Sequence, residues 1–516
     1  MTIRKTIFIL LLTVLFLSAC FSCADKIKTD TFDGNSSNSA GASADTSDGF
    51  GSHALTSSDA LTSSSPAGTN STSGADGANS SDSADGRALS ASDDSAIYYI
   101  SDSRPFDGNT STMNGDQTPI EPLYTPFTYT EEDEKVTITG LSADFFGELT
   151  IPATINGAVV YAVGEKAFKD NTAITGVTVE DGVIIIGDCA FCGCENLKTA
   201  VFPKSLEKMG YGALSGCCAL QSLTVPFTGA EPKTGKSLKD YNFGYIFGKE
   251  KRDNCTKTTQ YYHEDDYMSV SHADYYLPDL LKTVRVTGSD RATYLPYDAF
   301  RSCKTLDNVV IGGHIKNVGP FAFSCCTAKI SFEDPVIERL EDDAFADYKG
   351  TSLAIPESVK YIGARAVSGC ENLTHMTIPD GVEEIDLFAF SYSYALNSVT
   401  FGGGVKRLGM CAFYFCPNLK TVNFGKNLSE IDECAFSYCT ALESITLPAS
   451  LEKLGYDVFE KCFSLKTVNF EDADRWYVYN RTASGIALEK TALKKPSTAA
   501  KYLKTKYYDY QWAKHL

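Results

Sequence analysis

The chain has 516 residues and a mass of 55.9 kDa, enough for a large buried core, which excludes a short peptide or a disulfide-stapled miniature. A formal net charge of −19 argues against a nucleic-acid backbone or an anionic membrane surface as the main partner, because both reward basic patches. The acidity is uneven: between Ala24 and Pro119 fourteen Asp face four Lys or Arg, so the remainder is only mildly acidic.

Arg4 and Lys5 precede an uncharged apolar run from Thr6 to Phe16, followed by Leu17, Ser18, Ala19 and Cys20. A basic start, a short apolar stretch and small residues describe a secretory signal peptide; about fifteen apolar residues fall short of the roughly 20 that a spanning helix needs. The Leu-Ser-Ala-Cys run resembles the bacterial lipobox, in which the thiol is acylated and becomes the mature N-terminus. That resemblance implies a lipoprotein signal peptide over 1–19 and a lipid anchor on Cys20, with an ordinary signal peptide as the alternative. Cys23 fits the pattern poorly. No other segment is apolar enough to cross a membrane, so membrane attachment rests on this lipid.

Residues 20–119 are dominated by Ser, Ala, Gly, Asp, Asn and Thr, and from Ala24 to Ile97 aromatics and branched aliphatics are almost absent. Such a segment buries too little apolar surface to offset its ordering entropy and reads as a disordered tether. A coil of roughly 75 residues spans about 50 Å, which implies display away from a membrane.

From residue 120 to 475 the chain repeats. Ala-Phe or a near variant recurs at Ala167, Ala190, Ala213, Ala299, Ala322, Ala344, Ala366, Ala389, Ala412, Ala435 and, as Val-Phe, Val458. The steps are 22 or 23 residues except for one of 86 between Ala213 and Ala299. The unit is LxxVxFxxxLxxIxxxAFxxC, often with Pro after the first strand, as at Pro203, Pro226, Pro356, Pro379 and Pro448. In Leu419 to Phe424 apolar Val422 and Phe424 alternate with Thr421 and Asn423, the period of a strand with one buried face. One strand per 23 residues cannot form a hairpin, so the strands stack in parallel, coil on coil. The fold class is therefore an α/β-type repeat solenoid, predominantly β: a leucine-rich-repeat rod of about eleven coils and roughly 55 Å. Its spine is the column of phenylalanines at Phe168, Phe191, Phe300, Phe323, Phe345, Phe390, Phe413, Phe436 and Phe459.

The AFxxCxxLxxVxFP pattern behind an exported N-terminus resembles the BspA-type leucine-rich-repeat surface proteins, including their treponemal branch. Leu214 and Val367 depart from it in the spine, and Tyr348 and Ser393 in the cysteine column. The resemblance implies an exported, lipid-anchored cell-surface or outer-membrane protein that binds host matrix proteins, other microbes or glycans.

A solenoid exposes apolar ends that need covers. Val136–Gly140 with Leu149–Ile151 reads as an N-terminal strand pair. In the C-terminal cap, 476–516, a helix begins at Pro496 with Ser497 as N-cap, placing Leu503, Tyr507 and Tyr510 on one face.

Seventeen cysteines in an exported protein normally suggest disulfides, but position overrules the count. Cys194, Cys217, Cys303, Cys326, Cys370, Cys416, Cys439 and Cys462 all lie three residues after the spine and read as an inward thiol ladder. Cys189 and Cys192 form a CxxC, but without a second one it completes no tetrahedral zinc site. Cys411 and Cys434, one repeat apart, are a possible surface disulfide. His263-Glu-Asp-Asp266 with His272 is the best metal-like cluster and a weak one. No catalytic fingerprint appears, so the chain reads as a non-enzyme with no cofactor and no metal.

Ligand candidates are of two kinds. Thr377, Thr400, Asn423, Thr446 and Asn469 form an outward polar ladder along the strands, suited to hydrogen-bonding a polymer. The insertion at 227–280 carries Tyr241, Tyr245, Tyr261, Tyr262, Tyr267, Tyr275 and Tyr276, and Tyr offers interfaces large amphipathic area at low entropy cost. The bland alternatives are that Thr is a good strand former and that Phe243, Ile246 and Phe247 pack as a distorted coil under the tyrosines. Glycans favour aromatics lying along the polar ladder, where there are almost none. The reading is thus an adhesion module for extracellular or cell-surface proteins, with polysaccharide capture or an envelope spacer as alternatives.

Overall fold

The computed structural model describes residues 126–142, 145–232, 239–263, 270–480 and 485–515. The signal segment, Cys20, the tether and Tyr267 lie outside the described residues.

The described chain is a predominantly β, parallel solenoid with few helices, and each coil has three sides. The first carries the LxxVxF strands, paired in parallel and in repeat register. One seven-stranded sheet runs from Gly147–Ile151 to Lys329–Phe332. A three-stranded sheet follows with His375–Ile378, Ser398–Phe401 and Thr421–Asn423, then a two-stranded one with Ser444–Leu447 and Thr467–Phe470. Alternation holds: Ile445 and Leu447 are buried while Ser444 and Thr446 are exposed. The second side is a ladder of two-residue strands such as Arg407–Leu408 and Glu430–Ile431. Coil-to-coil ion pairs flank the ladders, Lys406 with Glu383 at 2.8 Å and Lys466 with Glu443 at 3.1 Å, each exposed and worth about 0–1 kcal/mol.

The third side is the AFxxC turn. It has no strand, yet its backbone is paired: Phe390 N–H donates to Ala412 O and Phe413 N–H to Ala435 O, both at 2.8 Å. Two residues per coil take left-handed backbone, two before and two after the spine position. Cys411 (φ 58°) and Phe415 (φ 57°) flank Phe413, and Cys434 (φ 58°) and Tyr438 (φ 63°) flank Phe436. Gly193, Gly216 and Gly369 occupy the same later position, where a missing Cβ removes the penalty.

Inside, the spine rings stack at 5.0 Å for Phe390–Phe413, 5.4 Å for Phe413–Phe436 and 5.8 Å for Phe436–Phe459, nearly parallel. The cysteine column supplies donors. Cys416 Sγ donates to Phe390 O at 3.2 Å, Cys439 to Phe413 O at 3.3 Å and Cys462 to Phe436 O at 3.1 Å, each reaching the spine carbonyl one coil back. Where Ser393 replaces Cys, its hydroxyl makes the same bond to Val367 O at 3.3 Å, and where Tyr348 does, its hydroxyl donates to Ala328 O at 2.8 Å, so the column supplies a buried donor rather than a redox group. Burial pushes the Cys416 and Cys462 thiols up to about 12. Both properties slow thiolate chemistry: native protein treated with an alkylating agent is expected to keep Cys416, Cys439 and Cys462 unmodified, and denatured protein to label all three. Rapid native labelling would contradict this placement. Cys411, in the neighbouring turn column, is buried, and Cys434 is half-buried.

The long step between Ala213 and Ala299 contains a turn of the solenoid that the repeat frame hides. The 3-10 helix Phe243–Phe247 takes the place of an AFxxC turn: Leu214 N–H donates to Ile246 O at 2.8 Å and Phe243 N–H to Ala299 O at 3.0 Å. Phe243 lies 4.9 Å from Phe300 and continues the spine. The distorted-coil alternative is thus what the structure shows for the phenylalanines. The chain then leaves as the antiparallel hairpin Cys255–His263 with Val270–Pro278 and re-enters at Thr283–Val286, which pairs directly with Ser222–Val225.

Both caps differ in detail from the sequence expectation. Leu149–Ile151 and Val136–Gly140 are strands but do not pair. The first begins the first-side sheet, whereas the second lies within Lys135–Leu141, which pairs in parallel with Ala158–Val163. The cover is Phe127–Glu132, antiparallel to Lys135–Leu141 through a turn at Asp133 and Glu134. Its Glu131 and Glu132 are charges of the kind that discourages edge pairing. At the C-terminus the helix is Pro496–Lys501, with Lys495 rather than Ser497 at the N-cap; Pro at the first helical position needs no N–H partner. An unexpected strand, Gln511–Lys514, pairs antiparallel with Lys453–Leu454 and Trp476–Tyr479. It seats Trp512 beside Trp476, both about 1% exposed, so strand and helix close the end together.

Candidate binding surfaces

The polar ladder is where its spacing placed it. Thr377, Thr400, Asn423, Thr446 and Asn469 are all exposed. Its hydroxyls and amides bond partly to one another: Asn423 Nδ2 donates to Thr400 Oγ1 at 3.3 Å and Asn469 Nδ2 to Thr446 Oγ1 at 3.5 Å. Thr421–Asn423 and Ser444–Leu447 belong to different sheets, and a shallow groove of about 290 Å³ lies over that break, bounded by Lys420, Asn423, Thr446 and Glu471.

The insertion tyrosines divide. Tyr241 and Tyr275 are 3% and 1% exposed; contrary to their reading as ligand contacts, they are core. Tyr275 Oη donates to Lys239 O at 2.9 Å, and its ring lies where any Cβ on Gly244 would come within 2.3 Å of it, which explains that glycine. Gln260, fully buried, holds the hairpin down. Its Oε1 accepts from Gly244 N–H at 2.6 Å and its Nε2 donates to Ala299 O at 3.1 Å. Tyr245 and Tyr262 are half-buried and pack against the core. Strand alternation turns Lys257, Thr259, Tyr261, His272, Asp274 and Tyr276 to the opposite side of the hairpin. There Lys257 meets Asp274 at 2.7 Å, Thr259 Oγ1 donates to Asp274 Oδ1 at 2.6 Å, and the Tyr261 ring packs on His272. Hairpin burial buries every second side chain, so a count of tyrosines overstated the available surface.

One aromatic group was missed. On the turn side Phe388, Tyr392, Tyr394, Tyr414, Phe415 and Tyr438 form a continuous ring network with neighbouring centroids 5.5 to 6.3 Å apart. None is buried, and Tyr394 is 42% exposed. Phe388, Tyr392, Phe415 and Tyr438 occupy left-handed positions (φ 56° to 63°), columns that other coils fill with Gly, Asp, Ser or Cys and also with Lys166, Phe321, Arg365 and Lys461. A non-glycine residue there costs roughly 1–2 kcal/mol, a cost that most coils bear, so what sets this patch apart is the gathering of six rings. The signal was present in the sequence, in the columns two residues either side of the spine.

Among the described residues no group of three or more His, Cys, Asp or Glu is arranged to hold a metal ion. The cluster proposed around His263 lies largely outside the described residues. No helix among the described residues is long and apolar enough to cross a membrane.

Parallel strands in repeat register, a stacked phenylalanine spine and an inward donor column define a leucine-rich-repeat solenoid. The BspA type leucine rich repeat region matches in six copies, over residues 161–245, 279–393 and 360–475, and the chain belongs to that family. Proteins of this kind are generally surface proteins that bind other proteins rather than enzymes. Among solved structures, a leucine-rich repeat protein from Bacteroides ovatus is 22% identical, covering 67% of this chain and 88% of its own, with a TM-score of 0.35. A leucine rich cell surface protein from Faecalibacterium prausnitzii is 21% identical over 69% and 96%, with a TM-score of 0.26. The leucine rich repeat protein of T. pallidum is 18% identical over 61% and 88%, with a TM-score of 0.18. Comparison with curated proteins returns no match.

Proposed function

We propose that this chain is an adhesion module, held at the cell surface by a lipid on Cys20 and displayed on the 20–119 tether, that binds extracellular or cell-surface proteins. The observation that carries the reading is the aromatic network on the turn side, where six rings from neighbouring coils gather and none is buried. Aromatic residues dominate protein-binding hot spots, and the partly exposed Tyr276 on the hairpin offers a second contact of the same kind.

The test separates binding from folding. In a Tyr392→Asn, Phe415→Asn, Tyr438→Asn variant the left-handed positions receive a residue that tolerates them. Unfolding midpoints are expected to stay close to wild type. Binding to the proteins retained on an array of matrix and cell-surface proteins is expected to weaken by about 2 kcal/mol or more, roughly thirtyfold. Unchanged binding would sink the turn-side assignment. Excising the hairpin would be a poorer test, since Gln260 and Tyr275 are core and the Tyr261 ring packs on buried Arg301; Tyr276→Ser probes its outer face instead.

Polysaccharide binding is the second reading, favoured by the polar groove between Asn423 and Thr446. It predicts loss of glycan-array signal in Asn423→Val and Thr446→Val variants, with the aromatic variant unaffected. For the anchor, Cys20→Ala is expected to move the exported protein from the detergent phase to the aqueous phase, and unchanged partitioning would contradict lipidation.

A further inference from the structure

We propose that Cys218 and Cys255 form a disulfide that fastens the base of the hairpin to the solenoid. Their sulfurs lie 2.8 Å apart, against about 2.05 Å in a disulfide, so a small rotation of each side chain closes the bond. Cys218 follows the ladder residue Cys217 on the coil of Leu214, and Cys255 opens the first hairpin strand. Local hydrogen bonds fix that strand end: Asp279 N–H donates to Asn254 O at 3.0 Å and Thr256 Oγ1 to Asp279 Oδ1 at 2.6 Å. The sulfurs are thus presented by ordered backbone on both sides.

This pair differs from the ladder thiols in two respects. The ladder thiols are buried, and Cys194, Cys217, Cys370, Cys416, Cys439 and Cys462 donate to carbonyls, whereas Cys218 and Cys255 are both half-buried and face each other, so a dissolved oxidant reaches them. Burial raises both thiols, and Asp279 adds to this while Arg252 opposes it, so what sets the pair apart from the ladder is geometry and access. The bond would close a loop around the 3-10 helix Phe243–Phe247, the element that replaces a regular turn. It would thereby pin the hairpin where the repeat itself provides no anchor.

The oxidant is a disulfide donor. One cysteine thiolate attacks a donor sulfur, forming a mixed disulfide and expelling one thiolate. The second cysteine, deprotonated, attacks its partner's sulfur and expels the other. The protein gives up two electrons and two protons, and the donor leaves as two thiols.

The test exposes the reduced full chain to oxidised glutathione, then denatures, alkylates without reductant, digests and weighs the peptides. The expected product is a Cys218 peptide joined to a Cys255 peptide, lighter than the two reduced peptides by two hydrogens, with the ladder thiols alkylated. Cys218→Ala and, separately, Cys255→Ser should each abolish the joined peptide and leave the remaining partner alkylated or glutathionylated. Recovery of both cysteines alkylated after oxidation would overturn the proposal. A cross-link of either cysteine to a different partner, or Cys189 joined to Cys192 in its place, would overturn it equally.

Discussion

Replacing Phe413 by Ala is expected to lower the unfolding free energy by about 3 to 5 kcal/mol, the range for core phenylalanine truncation. Phe413 is fully buried. Its ring is sandwiched between Phe390 at 5.0 Å and Phe436 at 5.4 Å and meets Phe401 edge-on at 5.7 Å. Because each coil touches only its neighbours, a void here cannot be filled by collapse from a distance, and the loss should be local. Denaturant titration measures the total, and hydrogen exchange locates it. Amides in the coils of Phe390 to Phe436 should exchange faster while those around Phe168 do not. A change near zero would mean that the ring is not in the stack.

Replacing Arg301 by Ala is expected to cost a similar amount, about 3 to 5 kcal/mol, for an electrostatic reason: removing one partner of a buried ion pair withdraws the opposite charge that offset the other's burial. Arg301 donates to Asp298 Oδ1 at 3.0 Å, and their side chains are 3% and 0% exposed. The guanidinium also lies 5.1 Å from the Tyr261 ring centre and 4.9 Å from that of Phe321, so it ties the hairpin to the coils beneath. A second buried acid, Asp343, is paired with Arg365 and feels Arg301 more weakly. Burial pushes its carboxyl up to about 6 against the attraction of Arg365 and Arg301. Adding Asp298→Asn to the Arg301→Ala chain removes the stranded charge and should return part of the loss. Absence of any recovery would show that lost ring packing, rather than charge, carries the effect.

The regular coils were legible because their signal is local and repeated. A strand with one wet face, a spine phenylalanine and a small donor each recur every 22 or 23 residues, and the stacked rings and carbonyl-directed thiols follow. Legibility ended where partners are distant or the frame is broken. Phe243–Phe247 completes the spine without an AFxxC motif, because a 3-10 helix presents its carbonyls to Gly212 and Leu214 much as a turn would. Gln511–Lys514 has little strand character of its own and is held by partners at Lys453–Leu454 and Trp476–Tyr479. Tyr241 and Tyr275 looked like surface because tyrosine is common there, and only the seating of the hairpin shows them to be core. The turn-side aromatics carry no repeat signal: they gather in only a few coils, around Phe390, Phe413 and Phe436, whereas the spine recurs along the whole solenoid.

The regular coil-to-coil interval, about 4.8 Å between paired strands and 5.0 to 5.8 Å between stacked spine rings, has a consequence for anything that binds alongside. Side chains in one column present themselves at nearly that interval, so an extended ligand meets almost the same contacts after sliding by one coil. A strictly regular face is a ruler without numerals. The features that do not repeat supply the numerals: the hairpin after Asn254, the break between Thr421–Asn423 and Ser444–Leu447, and the cluster from Phe388 to Tyr438. A partner that engages the uniform columns together with one of these marks is held at a single address along the molecule, whereas a partner that reads the columns alone has many equivalent ones.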